Sequence, residues 1–344
     1  MTFPMHQDAA AAAVFRRTMV LLLLLLMFSL SSFPSVTAEC PDKCWCQEVR
    51  VYCSYQGLDR IPNSISPATK LLDLDYNEIR DIESLAHLTE LETLYLSNNN
   101  ISEVKNGAFS NLSQLQALFL HRNKIENIET GAFNNLVSLK VLQLDYNNIH
   151  KLDLEMFKGL TKLNRLFLDH NMIRNIPPGT LDSLTSLSIL QLDHNPLTCD
   201  CNILLFVKVL KKNYPQRDVL GNYDPSCHFP VEMSEKSLKE ITENDFNCTS
   251  PQIIVVPEKK TVSVGEQLQL SCKVVGDPEP YIMWAKDDIN LELGKRVQVF
   301  QNNTLIISKV ERTDGGQYKC VASNYLGRKS FEAMVNVYGL TEND

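Results

Sequence analysis

The sequence predicts an α/β repeat solenoid with disulfide-bonded caps at both ends, followed by an all-β sandwich. Three observations carry the prediction. The phrase L-x-x-L-x-L-x-x-N-x-I/L returns six times between Thr69 and Leu197, with its asparagine at Asn77, Asn99, Asn123, Asn147, Asn171 and Asn195. Ten cysteines fall in three even clusters: four ahead of the repeats, four after them and two further on. Residues 250–338 lose the period and show short alternating strands instead, as in Gln267–Cys272 and Thr304–Ile307.

A leucine phrase returning at steps of 22 and then 24 residues marks a leucine-rich repeat solenoid. In the fourth copy Leu139, Leu142, Leu144 and Ile149 should fill the core, and Asn147 should turn its amide onto backbone groups of adjoining rungs. A second spine follows ten residues after each asparagine, at Phe109, Phe133 and Phe157, with Leu181 last. One rung cannot bury its own apolar face, so these residues read as core whose stability comes from stacking.

The chain begins with the marks of export. Arg16 and Arg17 precede an apolar run from Met19 to Leu30, and Val36-Thr37-Ala38 offers a small-residue cleavage site. Residues 1–38 are therefore read as a secretory signal. No second apolar run is long enough to span a bilayer, and the chain ends in polar residues. A secreted, extracellular protein with five disulfides is expected, because an oxidising compartment favours disulfides over thiolate ligation of zinc. The net charge of −8 argues against a nucleic-acid partner.

The remaining boundaries follow the clusters. Residues 39–68, holding Cys40, Cys44, Cys46 and Cys53, should cover the open end of the first rung. Four cysteines allow three pairings, and spacing does not choose among them. The six repeats occupy 69–197. Residues 198–249 hold Cys199, Cys201, Cys227 and Cys248 and a helical stretch, 202–212, whose leucines and valines would lie across the last rung as a lid. Its Lys208, Lys211 and Lys212 read as solvated helix surface. In the domain 250–338, Trp284 follows Cys272 by twelve residues and Tyr318 precedes Cys320 by two. That is the Cys–Trp–Cys core and tyrosine corner of an immunoglobulin sandwich. A polar tail, 339–344, closes the chain.

This order of parts, with the passages Asn195-Pro196-Leu197-Thr198-Cys199-Asp200-Cys201 and Pro251-Gln252-Ile253, resembles extracellular leucine-rich repeat plus immunoglobulin (LRR–Ig) proteins. Within that group it is similar to the N-terminal, non-catalytic part of the peroxidasins, over residues 39–338. The resemblance implies the pairings Cys40–Cys46, Cys44–Cys53, Cys199–Cys227 and Cys201–Cys248, beside Cys272–Cys320 in an intermediate-type immunoglobulin domain. It implies protein recognition in matrix, adhesion, guidance or innate defence. The further immunoglobulin domains and haem peroxidase domain of the family have no counterpart in the sequence, so peroxidase chemistry is not carried over.

The strand phrase leaves columns of residues for the concave face. The first is Asp73, Tyr95, Phe119, Gln143, Phe167 and Gln191; the second is Asp75, Ser97, His121, Asp145, Asp169 and Asp193. Beside them lie Tyr76, Asn98, Arg122, Tyr146, His170 and His194. Ligand contacts are expected from Asp73, Asp75, Tyr95, Phe119, His121, Asp145, Tyr146, Phe167, Asp169, His170 and Asp193. Aromatics on a rigid surface are common interface anchors, and an acidic ladder suits a basic protein surface. Calcium needs more oxygens than a flat ladder supplies. His170 and His194 beside the ladder could serve zinc, but lone surface imidazoles more often do not, so neither metal nor cofactor is expected. Sequons make Asn100, Asn111, Asn247 and Asn302 candidate glycan acceptors.

The function expected is non-enzymatic recognition of an extracellular protein, a glycan or a microbial surface, through the concave face or the immunoglobulin domain. No G-x-S-x-G, phosphate-binding glycine loop, H-E-x-x-H or unpaired cysteine occurs, and no nucleophile is expected beside the Asp and His residues of the columns. The alternatives are a structural matrix component that self-associates, as a homodimer or larger, and a short isoform of a longer LRR–Ig protein.

Overall fold

The computed structural model describes residues 40–83, 85–214 and 218–339. The signal segment 1–38 lies outside them, as does all but the first residue of the tail. The solenoid sheet has eight strands, beginning with the antiparallel hairpin Trp45–Gln47 and Arg50–Tyr52 of the first cap. Leu71–Asp73, Thr93–Tyr95, Ala117–Phe119, Val141–Gln143, Arg165–Phe167 and Ile189–Gln191 then add in parallel, one per repeat.

Each ladder asparagine ties its rung to the one before. The Asn147 amide donates to Leu120 O at 3.0 Å and to Leu144 O at 3.0 Å, while its Oδ1 accepts the Ile125 N–H at 3.0 Å. Asn99, Asn123 and Asn171 repeat the same three bonds. These bonds give partners to buried backbone groups at the bend that leaves each strand. On the convex side Phe109, Phe133 and Phe157 stack in a continuous spine, with centroids 6.1 and 6.4 Å apart.

Among the described residues the return arms carry turns and one short pair of strands, Glu103–Val104 with Asn127–Ile128, rather than helices. A glycine at positive φ (Gly107, Gly131, Gly159 and Gly179) interrupts each of four arms before a helix could nucleate. Among the described residues, the α-helix of the solenoid unit is the cap helix, Cys201–Asn213, followed in the same cap by two short 3-10 turns, Val231–Met233 and Glu243–Asp245. It buries Ile203, Leu204, Phe206, Val207 and Leu210, and the Asp200 carboxylate caps it by accepting the N–H groups of Asn202 and Ile203 at 2.8 and 3.1 Å.

Both caps continue the solenoid core: one buried cluster runs from Val51, Cys53, Ile61 and Ile65 through the rungs to Leu238 and Ile241. All five disulfides are formed, as Cys40–Cys46, Cys44–Cys53, Cys199–Cys227, Cys201–Cys248 and Cys272–Cys320.

The last domain is a sandwich with its own core around Cys272, Trp284, Leu305, Tyr318, Cys320 and Val335. Gly316–Asn324 sits between Tyr281–Lys286 and Gly327–Tyr338 in a five-stranded sheet, and Leu268–Leu270, Leu305–Ile307 and Val297–Val299 form a second sheet. Thr249–Val255 pairs with Lys273–Asp277, after which the chain crosses over so that Lys260–Ser263 runs parallel to the last strand. The tyrosine corner is closed by the Tyr318 hydroxyl, which donates to Asp314 O at 2.7 Å. Burial holds that phenol well above its ordinary range.

Candidate functional site: the concave face and its rim

The parallel register brings one residue per rung into line. Tyr52, Asp73, Tyr95, Phe119, Gln143, Phe167 and Gln191 pair in succession along the sheet. Tyr95 and Phe119 stack flat, with centroids 4.6 Å apart and 5° between planes. They and Phe167 are half-buried, so the aromatics present faces and edges rather than standing free of the surface.

The second column differs from its expected exposure. Asp145 and Asp169 are each only 8% exposed, because the rungs on either side cover them. Burial raises the Asp145 carboxyl above its usual range, and the neighbouring Asp169 charge adds to the shift. Burial also pushes the Asp75 carboxyl up to about 6, although the Ser97 N–H donated to it at 2.6 Å works the other way. His121 is held below the ordinary histidine range by the same loss of solvent. The ladder is thus set into the face, and Asp73, Asp75 and Asp193 keep more contact with solvent than its middle.

One expectation fails here: a nucleophile-bearing residue type does accompany the histidines. The Ser97 hydroxyl lies 2.8 Å from His121 Nδ1, with Asp145 on the next rung. These are the residue types of a hydrolytic triad, but Ser97 is 0% exposed and cannot meet a substrate. The contact ties two rungs together.

The rim column carries a feature that sequence reasoning missed. Tyr76, Asn98, Arg122, Tyr146, His170 and His194 all adopt positive φ, between 51° and 56°. For a side-chain-bearing residue this left-handed turn costs about 1–2 kcal/mol. It is held by rung-to-rung bonds such as Tyr146 N to Asp169 O at 3.1 Å and His170 N to Asp193 O at 3.0 Å. Because every rung makes the same turn, the side chains leave it in parallel. Tyr55 stacks on Tyr76 at 4.3 Å; Arg122 lies 4.3 Å over Tyr146, which stacks on His170 at 4.0 Å, which stacks on His194 at 4.1 Å. His170 and His194 are therefore not lone imidazoles. The signal available in the sequence was a run of mostly planar side chains directly before the ladder asparagines.

Of the sequons, Asn111, Asn247 and Asn302 are exposed and Asn100 is half-buried. In the cap, Lys208 pairs with Glu243 at 2.5 Å and lies 5.8 Å from the Tyr325 ring of the sandwich, so this lysine is already occupied. No helix among the described residues is long and apolar enough to cross a membrane.

Comparison with known proteins matches these two units directly. Leucine-rich repeat family models match residues 70–107, 89–149 and 138–197, and the immunoglobulin I-set domain model matches residues 251–337. The protein is an LRR–Ig chain. Its similarity to the N-terminal region of peroxidasin is extensive. The human peroxidasin homolog is 48% identical over 309 residues, 88% of this chain and 21% of the relative; the mouse peroxidasin homolog is 49% identical over 296 residues, 84% and 20%. The mouse leucine-rich repeat and immunoglobulin-like domain-containing nogo receptor-interacting protein 2 is 33% identical over 157 residues, 42% of this chain and 25% of the relative. The LRR–Ig chain thus spans about a fifth of the length of the peroxidasin homologs it matches. What it shares with them is an architecture of the extracellular recognition and adhesion type.

Proposed function

We propose that this LRR–Ig chain is a secreted, non-catalytic recognition protein whose concave solenoid face takes a protein partner with a basic contact surface. The observation that carries this reading is the composition of the face. Half-buried Tyr95, Phe119 and Phe167 line the strand column beside five aspartates, and no lysine or arginine enters either central column. Rigid aromatics supply contact area at low entropic cost, and the acids favour approach of a positive surface. Glycans on Asn100 and Asn111, which follow the second strand, would leave that face open. The reading includes a role in adhesion, guidance or defence, as in extracellular LRR–Ig proteins generally.

The test is binding of the secreted chain to matrix proteins, host cells, heparin and bacterial cell-wall polysaccharide across a range of salt. Wild type is compared with Asp73→Lys and Phe119→Ala. A protein ligand bound more weakly as salt rises, at least tenfold more weakly by Asp73→Lys, is the expected result. Binding that both variants leave intact would move recognition to the immunoglobulin domain. Self-association in sedimentation, with no separate ligand, would favour the structural matrix alternative.

A further inference from the structure

The structure assigns a second binding site to the end of the rim column: we propose that His170, Asp193 and His194 bind a transition-metal ion of the zinc class. The argument begins with the repeated turn. His170 and His194 leave the backbone at φ of 51° and 54°, one rung apart, and their rings stack with centroids 4.1 Å apart and 13° between planes. Each ring is oriented by the carboxylate that precedes it: His170 Nδ1 lies 2.9 Å from Asp169 Oδ2, and His194 Nδ1 lies 2.9 Å from Asp193 Oδ2. Asp169, behind the His170 ring, fixes its tautomer, an arrangement that metal-binding histidines commonly use, whereas Asp193 stands beside the His194 nitrogen as a ligand in its own right.

Ligand-capable atoms of His170, Asp193 and His194 lie within 4.8 Å of one another. A tetrahedral zinc ion about 2.1 Å from its ligands sets them about 3.4 Å apart, so closing the site takes a movement on the order of 1 Å. The imidazole side chains are 32% and 65% exposed, which leaves space on their solvent side for that movement.

A second, independent observation points to a cation. Asp169 Oδ1 and Asp193 Oδ1 are buried and have no hydrogen-bond partner, and Asp169 as a whole is only 8% exposed. Unpartnered buried carboxylate oxygens are costly. Among the described residues no lysine or arginine forms an ion pair with either carboxylate; only the two histidines do. A divalent ion held by Asp193 and the two imidazoles would place positive charge beside the Asp193 carboxylate and near Asp169. The ligand set selects its kind. Two imidazole nitrogens with one carboxylate suit zinc, copper or nickel, whereas calcium and magnesium require mostly oxygen. Three protein ligands leave one position open, which water or a partner's side chain would fill.

The experiment is calorimetric titration of the full chain with zinc, with calcium and magnesium as controls, alongside NMR of the histidine side chains. The expected result is one zinc bound per chain, no comparable heat from calcium or magnesium, and zinc-induced shifts confined to the rings of His170 and His194. His170→Ala and His194→Ala should each weaken binding at least tenfold, and His87→Ala, on the exposed surface elsewhere, should leave it unchanged. Zinc binding weakened less than tenfold in both variants, ring shifts at other histidines instead, or no binding to the wild type would overturn the proposal. The wild-type ring shifts decide the matter even if a variant folds poorly.

Discussion

Asn147 shows how one side chain can serve two rungs. Its amide satisfies Leu120 O, Leu144 O and Asp145 O, and its oxygen satisfies the Ile125 N–H. Asn147→Ala leaves the buried Ile125 N–H without its acceptor and takes one donor from each carbonyl. Of these, Leu120 O keeps Asn123, Leu144 O keeps Asn171 and Asp145 O keeps the Arg122 N–H. An unsatisfied buried group costs about 1–3 kcal/mol. A loss of about 3 kcal/mol in the urea unfolding of the solenoid is expected; a change under about 0.5 kcal/mol would mean that water replaces the amide. Asp75 carries the opposite sign. Its carboxyl is raised from 3.8 to about 6, so the folded state holds its proton more tightly than the unfolded chain. Its contribution is fully present below pH 3.8 and is lost as pH rises through 6. Asp75→Asn keeps an oxygen for the Ser97 N–H and cannot ionise. The variant should match wild type at pH 3.5 and exceed it at pH 7.5 by about 1 kcal/mol, since retained solvent reduces the full effect. Equal stability at both values of pH would remove the burial account.

At the scale of elements, the parts that the sequence made legible are those fixed by period alone. The asparagine ladder, the Phe109–Phe133–Phe157 spine and the tyrosine corner at Tyr318 need only a repeat length or a spacing to be placed. The burial of Asp145 and Asp169 was not legible, because alternation along a strand says which face a residue takes and not how far neighbouring rungs cover it. The His170–His194 stack depends on a left-handed turn that no residue type there demands. Arg296, which grips Asp314 through two nitrogens at 2.6 and 3.2 Å, joins residues of separate sandwich segments that share no pattern. The cap helix was legible within a residue at either end, since its apolar side marks it; the Asp200 cap at its start was not read from the sequence. That cap should be measurable. Asp200→Ala removes the acceptor for two N–H groups at the start of Cys201–Asn213 and should lower solenoid stability by about 1 kcal/mol in urea. Unchanged stability would mean that the lid is held by its buried face and the Cys201–Cys248 bridge alone.

At the scale of the molecule, the described residues form two hydrophobic cores that share no residue: one runs from Val51 to Ile241 through both caps, the other from Val262 to Val335. Cooperativity follows shared core, so each unit should unfold by its own transition rather than in a single event. The contacts between them that the structure shows are thin. The Lys208 ammonium sits 5.8 Å from the Tyr325 ring, while the Tyr325 hydroxyl is itself buried without a partner. Such contacts add far less than either core. Phe133→Ala separates the two. It removes the middle ring of the convex spine, whose neighbours Phe109 and Phe157 stack at 6.1 and 6.4 Å, and truncations of this kind cost about 3–5 kcal/mol. Differential scanning calorimetry of the wild type should show two transitions. In Phe133→Ala one of them should move down by several degrees while the other stays where it is. A single transition in the wild type, or two that fall together in the variant, would mean that the cap and the sandwich are coupled more strongly than their separate cores require.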